Sequence, residues 1–208
     1  MEYDKWEPIY KKIVEDFDFS ENADADAAQL LSNLLIGPVK ADLNGLTDVI
    51  KGKDTLICGN APTLKKDLEQ VDPSDHAIIA ADGATSVLLE QGLLPDVIVT
   101  DLDGDVEKEI EANKKGAIMV VHAHGDNTDK ILSFVPLLTN IIGTSQTNPP
   151  HGLFNFGGFT DGDRCVFMAH QLGATSMTLV GFDFDDDNVD ETKKKKLNWA
   201  RRLIEGFA

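Results

Sequence analysis

Residues Pro95 to Asp105 read PDVIVTDLDGD. The run Val97-Ile98-Val99 is apolar throughout, without the polar alternation of a strand that has one wet face. It predicts a strand buried on both sides of a sheet. The run stops at Asp101, Asp103 and Asp105, three carboxylates at two-residue spacing. Like charges this close raise the cost of ionising one another, so the mouth of that strand calls for a cation. An EF-hand calcium loop is excluded by spacing. Counted from Asp101, the sixth residue is Val106 rather than glycine, and the twelfth is Ala112 rather than glutamate. A hard, oxygen-ligated ion still suits the set, and Mg²⁺ is typically held by one or two carboxylates together with substrate phosphates. Asp105 is read instead as the cap of the following helix.

The same texture runs outward from this stretch. From Asp54 onward, short apolar runs alternate with helical patterns. TLICG precedes a helix from Pro62, and AIIAADG precedes one over Ala84–Gln91. DVIVTD leads into Val106–Lys115, and AIMVVHAHGD into Asn127–Leu138. NIIGTSQ and LFNFGG precede a helix over Asp161–Leu172, and MTLVGFDF precedes the final helix. This order predicts an α/β domain over 51–208, a mostly parallel sheet flanked by helices with right-handed crossovers. Residues 1–50 read as helices. Trp6, Ile9, Tyr10, Ile13, Val14 and Phe17 share one face, as do Ala27, Leu30, Leu31, Leu34 and Leu35 until Gly37-Pro38 breaks the pattern. Ala41–Ile50 fits a short third helix. This N-terminal helical extension shows no catalytic pattern and reads as an appendage packed on the main domain or on a partner. A homodimer contact and a lid over the active site both stay open as its role.

The 208 residues are 42% hydrophobic, enough for a sizeable core, and carry a net charge of −17 from 36 acids against 19 bases. A general nucleic-acid binder needs a basic footprint, so that class is set aside, and attraction to an anionic membrane is disfavoured with it. An anionic substrate would need metal ions to mediate its contact. The two cysteines, Cys58 and Cys165, form no CxxC pair, so a structural zinc site and a disulfide framework lack support. The start MEYDKWEPIY is unlike a signal peptide, and no apolar run approaches the ~18 residues of a membrane helix. The expectation is a cytoplasmic protein acting on small molecules.

In a parallel sheet, ligands gather outside the carboxyl ends of the strands, and the polar signals fall there. CGNAPTL offers Gly59, Asn60 and Ala61 in a tight turn, with Pro62 suited to a helix start and free N–H groups able to receive phosphate. It is neither GxGxxG nor a Walker motif, and a plain strand–helix turn explains it as well. Asp82 in AADGATS fits a helix cap as readily as a metal ligand. In HAHGDNTDK, His122, His124 and Asp126 match most of the HxHxDH pattern of metallo-β-lactamase-like hydrolases. Asn127 stands where the last histidine belongs. The plainer reading puts both histidines on one strand face and Asp126 and Asp129 on the acidic rim. In FNFGGFTDGDRCVFMAHQLGA, Thr160 and Asp161 suit a cap, and Arg164 is the motif's one cation, a bidentate phosphate grip or a surface ion pair with Asp161 or Asp163. Phe154, Phe156, Phe159, Phe182 and Phe184 read mostly as core, with a ring or two beside a flat heterocycle. In TKKKKLNWARRLIE, Leu197, Ala200, Leu203 and Ile204 form the apolar stripe, and Lys193–Lys196 read first as a solvated face, with a phosphate contact as the alternative.

Taken together, CGNAPTL, AADGATSVLLEQGLLPDVIVTDLDGD, HAHGDNTDK and GGFTDGDRCVFMAHQLGATSMTLVGFDF resemble the archaeal 6-hydroxymethyl-7,8-dihydropterin pyrophosphokinase family of MptE-like type. The resemblance runs from Asp54 to the C-terminus. ADG, LLPDVIVTDLD and DNTD also look like the catalytic domain of thiamin pyrophosphokinases, which implies a shared Rossmann-type fold. GGFTDGDR and GFDF point to the pterin branch. The resemblance implies transfer of pyrophosphate from ATP to the hydroxymethyl group of a reduced pterin, with release of AMP and Mg²⁺ as the metal. It implies metal binding by Asp82, Asp101 and Asp103, with Asp126 and Asp129 as further ligands or organisers of the phosphate site. Gly59, Asn60 and Ala61 then line the nucleotide, while Thr160, Asp161, Gly162, Asp163 and Arg164 close over the phosphates. Asp101, Asp103 and Arg164 carry the catalysis, and Asp161, Asp183 or Asp185 would pair with the pterin edge. A thiamin-type enzyme with another acceptor and a sugar-nucleotide or glycosyl-transfer module remain the alternatives.

Overall fold

A computed structural model of the chain describes residues 3–36 and 42–206. Its centre is one sheet of seven strands, all parallel, in the order β6-β5-β4-β3-β2-β1-β7. These are β1 (Asp54–Cys58), β2 (His76–Ala81), β3 (Val97–Thr100), β4 (Ile118–Ala123), β5 (Ile141–Ser145), β6 (Leu153–Phe154) and β7 (Ser176–Val180). The apolar runs form strands because both faces are covered, and every residue of β3, β4 and β5 is buried.

Two layers of helices cover those faces. On one side, Ala27, Ala28 and Leu31 of α2 (Glu21–Leu34) share a core with Leu64 of α4 (Leu64–Leu68), Leu88 of α5 (Ala84–Glu90), Ala112 of α6 (Val106–Lys114) and Ile131 of α7 (Thr128–Phe134). On the other, Leu46 and Ile50 of α3 (Leu43–Ile50) pack with Cys165, Val166 and Met168 of α8 (Asp161–Gln171). A third cluster joins Trp6, Tyr10 and Ile13 of α1 (Tyr3–Phe17) to Phe159, Phe167 and Leu203, the last on α9 (Glu191–Glu205). α2 and α3 are therefore core layers against the sheet, while α1 packs on α8 and α9. Residues 43–50 form the third helix; the break expected at Gly37-Pro38 and the start at Ala41 lie outside the described residues. α2 itself ends at Leu34.

The strand order reverses at β1, which has β2 on one side and β7 on the other. Such a reversal splays the loops that leave the carboxyl ends and opens a crevice there. Here those loops are Gly59–Pro62 and Gly181–Asp186. Among the described residues, no helix is long and apolar enough to cross a membrane.

Candidate active site

Three carboxylates converge at the carboxyl ends of β2 and β3. Asp82, Asp101 and Asp103 each offer an oxygen, and these oxygens lie within 4.8 Å of one another. The backbone is held in costly conformations to achieve this. Asp82 has φ +39° and Leu102 φ +65°, left-handed values worth about 1–3 kcal/mol each for residues with a side chain. Two bonds fix the turn: Leu102 N–H donates to Thr100 Oγ1 at 2.8 Å, and Gly104 N–H donates to Asp82 Oδ1 at 3.2 Å. Gly104 is required there, because a Cβ on it would stand 2.5 Å from Asp82 Oδ1. Asp82 is thus no helix cap: Gly83 holds the cap position of α5 and makes no side-chain cap bond. Asp105 does cap, accepting from Lys108 N–H at the start of α6.

The electrostatics set these carboxylates apart from one another. Burial, with hydrogen bonds from Glu109 and Asp103, pushes the Asp82 carboxyl up to about 10. Glu109 is 1% exposed, and burial pushes it up to about 7. Thr100 Oγ1 lies 3.2 Å from Asp82 Oδ1 and 3.1 Å from Glu109 Oε2, and its one proton serves only one of them at a time. Asp101 behaves oppositely. Burial alone would raise it, but the hydrogen bond with His124 (3.2 Å) and the charge of Arg164 hold it well below the usual carboxylate range. Its Oδ1 is buried and meets no hydrogen-bond partner among the described residues. A hard oxygen set with one orphaned, ionised oxygen and a crowded neighbour fits a divalent cation such as Mg²⁺.

Arg164 stands beside this group. It is 7% exposed and forms a buried ion pair with Asp161 at 3.1 Å, not a surface one. Burial, then the charge of Asp101, holds the Asp161 carboxyl well above its ordinary value. Gly158, at φ +88°, lets the chain pass the Arg164 backbone; a Cβ there would meet it at 2.7 Å. Thr160 caps α8 as the sequence suggests. Asp163, expected on the phosphates, is committed to that cap instead: it is fully buried and accepts from Phe159 N–H (2.6 Å) and Thr160 N–H (2.7 Å). It lines neither of the two large cavities.

Those cavities meet at the carboxylates. The first, of about 410 Å³, lies in the crevice at the strand reversal and is walled by Gly59, Asn60, Ala61, Asp82, Thr160, Asp161 and Gly162, among others. Asp183, Phe182, Phe184 and Lys193 belong to it as well, whereas Asp185 turns outward to Arg201 at 2.6 Å. The second, of about 370 Å³, opens between the α1–α2 junction and the loop after β4. Asp101, Asp103, Phe159, Arg164 and Lys196 line both. Asp126 is exposed, borders the second cavity and lies outside the three-carboxylate group; Asp129 is exposed on the first turn of α7 and reaches neither cavity.

The hydrolase pattern is not assembled. His122 is 3% exposed with Nδ1 against Thr144 Oγ1 at 3.1 Å, and burial, then Arg164, lowers its proton affinity. Among the described residues, Asp82, Asp101 and Asp103 are the one group of three or more potential ligands. Sequence reasoning missed Glu109, missed His124 as a partner of Asp101, and ranked the solvated face of Lys193 and Lys196 above the reach to the cavities that the structure shows. Glu109 sits at the three-residue spacing of the buried face Val106–Ala112, and Lys193 and Lys196 share the face of Leu197 and Ala200. Those periodicities were the available signal.

With this geometry in hand, comparison with known proteins is direct. Residues 28–189 match the family described as 6-hydroxymethylpterin diphosphokinase MptE-like. The chain is 44% identical to the 6-hydroxymethyl-7,8-dihydropterin pyrophosphokinase of Pyrococcus furiosus, across 99% of this chain and 94% of that protein. It is 43% identical to the protein of the same name from Methanothermobacter thermautotrophicus, with 99% and 94% covered. With that from Methanocaldococcus jannaschii it shares 40%, across 98% and 95%.

Proposed function

This chain belongs to the MptE-like 6-hydroxymethylpterin diphosphokinase family and is a pyrophosphokinase, and from that premise we propose that it moves the pyrophosphoryl group of ATP to the hydroxymethyl oxygen of 6-hydroxymethyl-7,8-dihydropterin. The step serves folate- or methanopterin-type pterin synthesis. The alcohol oxygen bonds to the β-phosphorus while the bond from that phosphorus to the α,β-bridging oxygen breaks. AMP departs with the bridging oxygen, and the alcohol proton passes to water. The observation that carries this reading is the convergence of Asp82, Asp101 and Asp103 at the junction of two cavities.

Asp82, Asp101 and Asp103 would hold the Mg²⁺, which when bound neutralises and orients phosphate oxygens. The chain's own groups account for the rest. The loop after β1 and the start of α8 offer backbone N–H groups to the nucleotide in the crevice at the strand reversal. Arg164, steadied by Asp161 at 3.1 Å, offers a planar fork to charge developing on the transferred group. Asp101, kept ionised by His124 and Arg164, stays available as a ligand at all ordinary pH. Transfer of this kind asks for alignment and charge stabilisation more than covalent help.

The test is AMP formation from ATP with Mg²⁺, comparing 6-hydroxymethyl-7,8-dihydropterin with thiamin as acceptor. AMP together with the pterin diphosphate, and neither with thiamin, is the expected result. AMP with thiamin alone would move the acceptor and keep the mechanism. No AMP with either would sink the reading.

A further inference from the structure

We infer that the second cavity is the acceptor site and that the α1–α2 junction supplies its wall and its selectivity. This rests on the pyrophosphoryl transfer proposed above and goes beyond it in placing the acceptor away from Asp161, Asp183 and Asp185. A volume of about 410 Å³ is near the lower end of what a single ligand site needs, about 300–1,000 Å³, so the first cavity is filled by one substrate. Its glycine-lined loops and the α8 N-terminus match the polyphosphate-bearing one. The second cavity, about 370 Å³, shares with it Asp101, Asp103 and Arg164. Displacement in line with the leaving oxygen needs donor and acceptor on opposite sides of the reacting phosphorus. Two cavities that meet at Asp101, Asp103 and Arg164, with Phe159 and Lys196 beside them, provide that arrangement.

The wall chemistry fits a flat heterocycle rich in N–H donors. Phe19 and Phe159 both line the second cavity, their ring centroids 6.4 Å apart, and give it an aromatic side. The carboxylates of Asp24 and Asp126 line the same cavity. Asp24 is 4% exposed and is fixed by three bonds: Gly125 N–H to Oδ1 at 2.8 Å, and Tyr10 O–H and Gln146 Nε2–H to Oδ2, each at 2.7 Å. That clasp sets the distance between α2 and the loop after β4. Gly125 allows the approach, since a Cβ on it would come within 2.7 Å of the Ala23 methyl. A carboxylate so anchored is a rigid acceptor for an amino group beside a ring N–H, a pairing that discriminates strongly when its partner is missing.

The experiment uses the full chain and three variants, Phe19→Ala, Phe19→Tyr and Ser20→Trp, the last at an exposed position bordering the cavity. KM for the pterin and for ATP are measured separately, with calorimetric binding of a non-hydrolysable ATP analogue to establish that each variant keeps its fold. Phe19→Ala and Ser20→Trp are expected to raise the pterin KM about tenfold or more with the ATP KM within about twofold, and Phe19→Tyr to restore the wild-type value. An unchanged pterin KM in Ser20→Trp, or a rise confined to ATP, overturns the site while leaving the reaction standing. A wild-type chain that forms no pterin diphosphate overturns the reaction and this site with it.

Discussion

The two cavities that meet at Asp101 are built in different ways. The first is built largely on short turns that directly follow strands, Gly59–Pro62 after β1, Asp82-Gly83 after β2 and Gly181–Asp186 after β7, with the start of α8 and one face of α9 completing it. The second is closed by a junction between two helices, Asp18 to Asp24, brought against the loop after β4 and against Gln146 after β5 by bonds that span more than a hundred residues of sequence. In the first, local sequence chemistry and location coincide. In the second, the position of each residue follows from how α1 and α2 dock, and no short motif records it.

The largest effect that tests this contrast falls on the residue common to both. Asp101→Asn is expected to lower Mg²⁺-dependent turnover by about 10²–10³-fold while leaving Tm close to wild type. Full retained activity would remove Asp101 from the metal group. A more selective test acts on the second cavity alone. Asp24→Ala leaves Tyr10, Gln146 and Gly125 with unpaired buried donors, costing about 3 kcal/mol and lowering Tm by roughly 6–12 °C. Below that Tm, ATP-analogue binding should persist while turnover with the pterin falls. Equal loss of both would mean that the two walls are one cooperative unit.

The smallest effect is a pH dependence of the metal-free protein. Asp82 at about 10 and Glu109 at about 7 both lie above ordinary carboxylate values, so the folded chain retains protons that the unfolded chain releases. The stability this represents is fully present below about pH 4. It is lost as pH rises through the values of Glu109 and then Asp82. Asp101, depressed, contributes in the opposite sense, and its share is lost only in strong acid as pH falls through its folded value. Thermal melts in a chelator should therefore show Tm falling between about pH 5 and about pH 8, with saturating Mg²⁺ reducing the fall. A Tm that rises across that window in chelator would contradict the proton-sharing carboxylates.

Much of this arrangement is legible in residues 54–184. Strand texture and acidic strand ends announce a parallel sheet with a rim of chemistry, and Asp82, Asp101, Asp103, Thr160 and Arg164 can be picked out from their positions after strands or before a helix. Asp163 could not be separated from Asp161, because both sit in the first turn of α8. Only the third position after the cap turns its carboxylate back onto the Phe159 and Thr160 N–H groups. Glu109 looks like one acid among several on a charged helix until α6 is packed against Thr100. The lysines of α9 look solvated until Leu197 and Ala200 bring their face to the cavity.

What the sequence alone determined is whatever depends on neighbours in the chain: the period of the apolar residues, the turns after strands, the caps at Asp105 and Thr160, and the crowding of carboxylates at the end of β3. What only the tertiary structure decided is whatever depends on desolvation and on contacts across the fold. Burial raises the proton affinity of both Asp82 and Asp101, and contacts across the fold then separate them: His124 and Arg164 hold Asp101 down, whereas Glu109 and Asp103 add to the rise at Asp82. Packing also makes α2 and α3 core layers against the sheet and the α1–α2 junction a wall of the second cavity. Periodicity says which face of a helix is apolar; it does not say what that face will meet, because the partner surface is formed only when distant strands assemble.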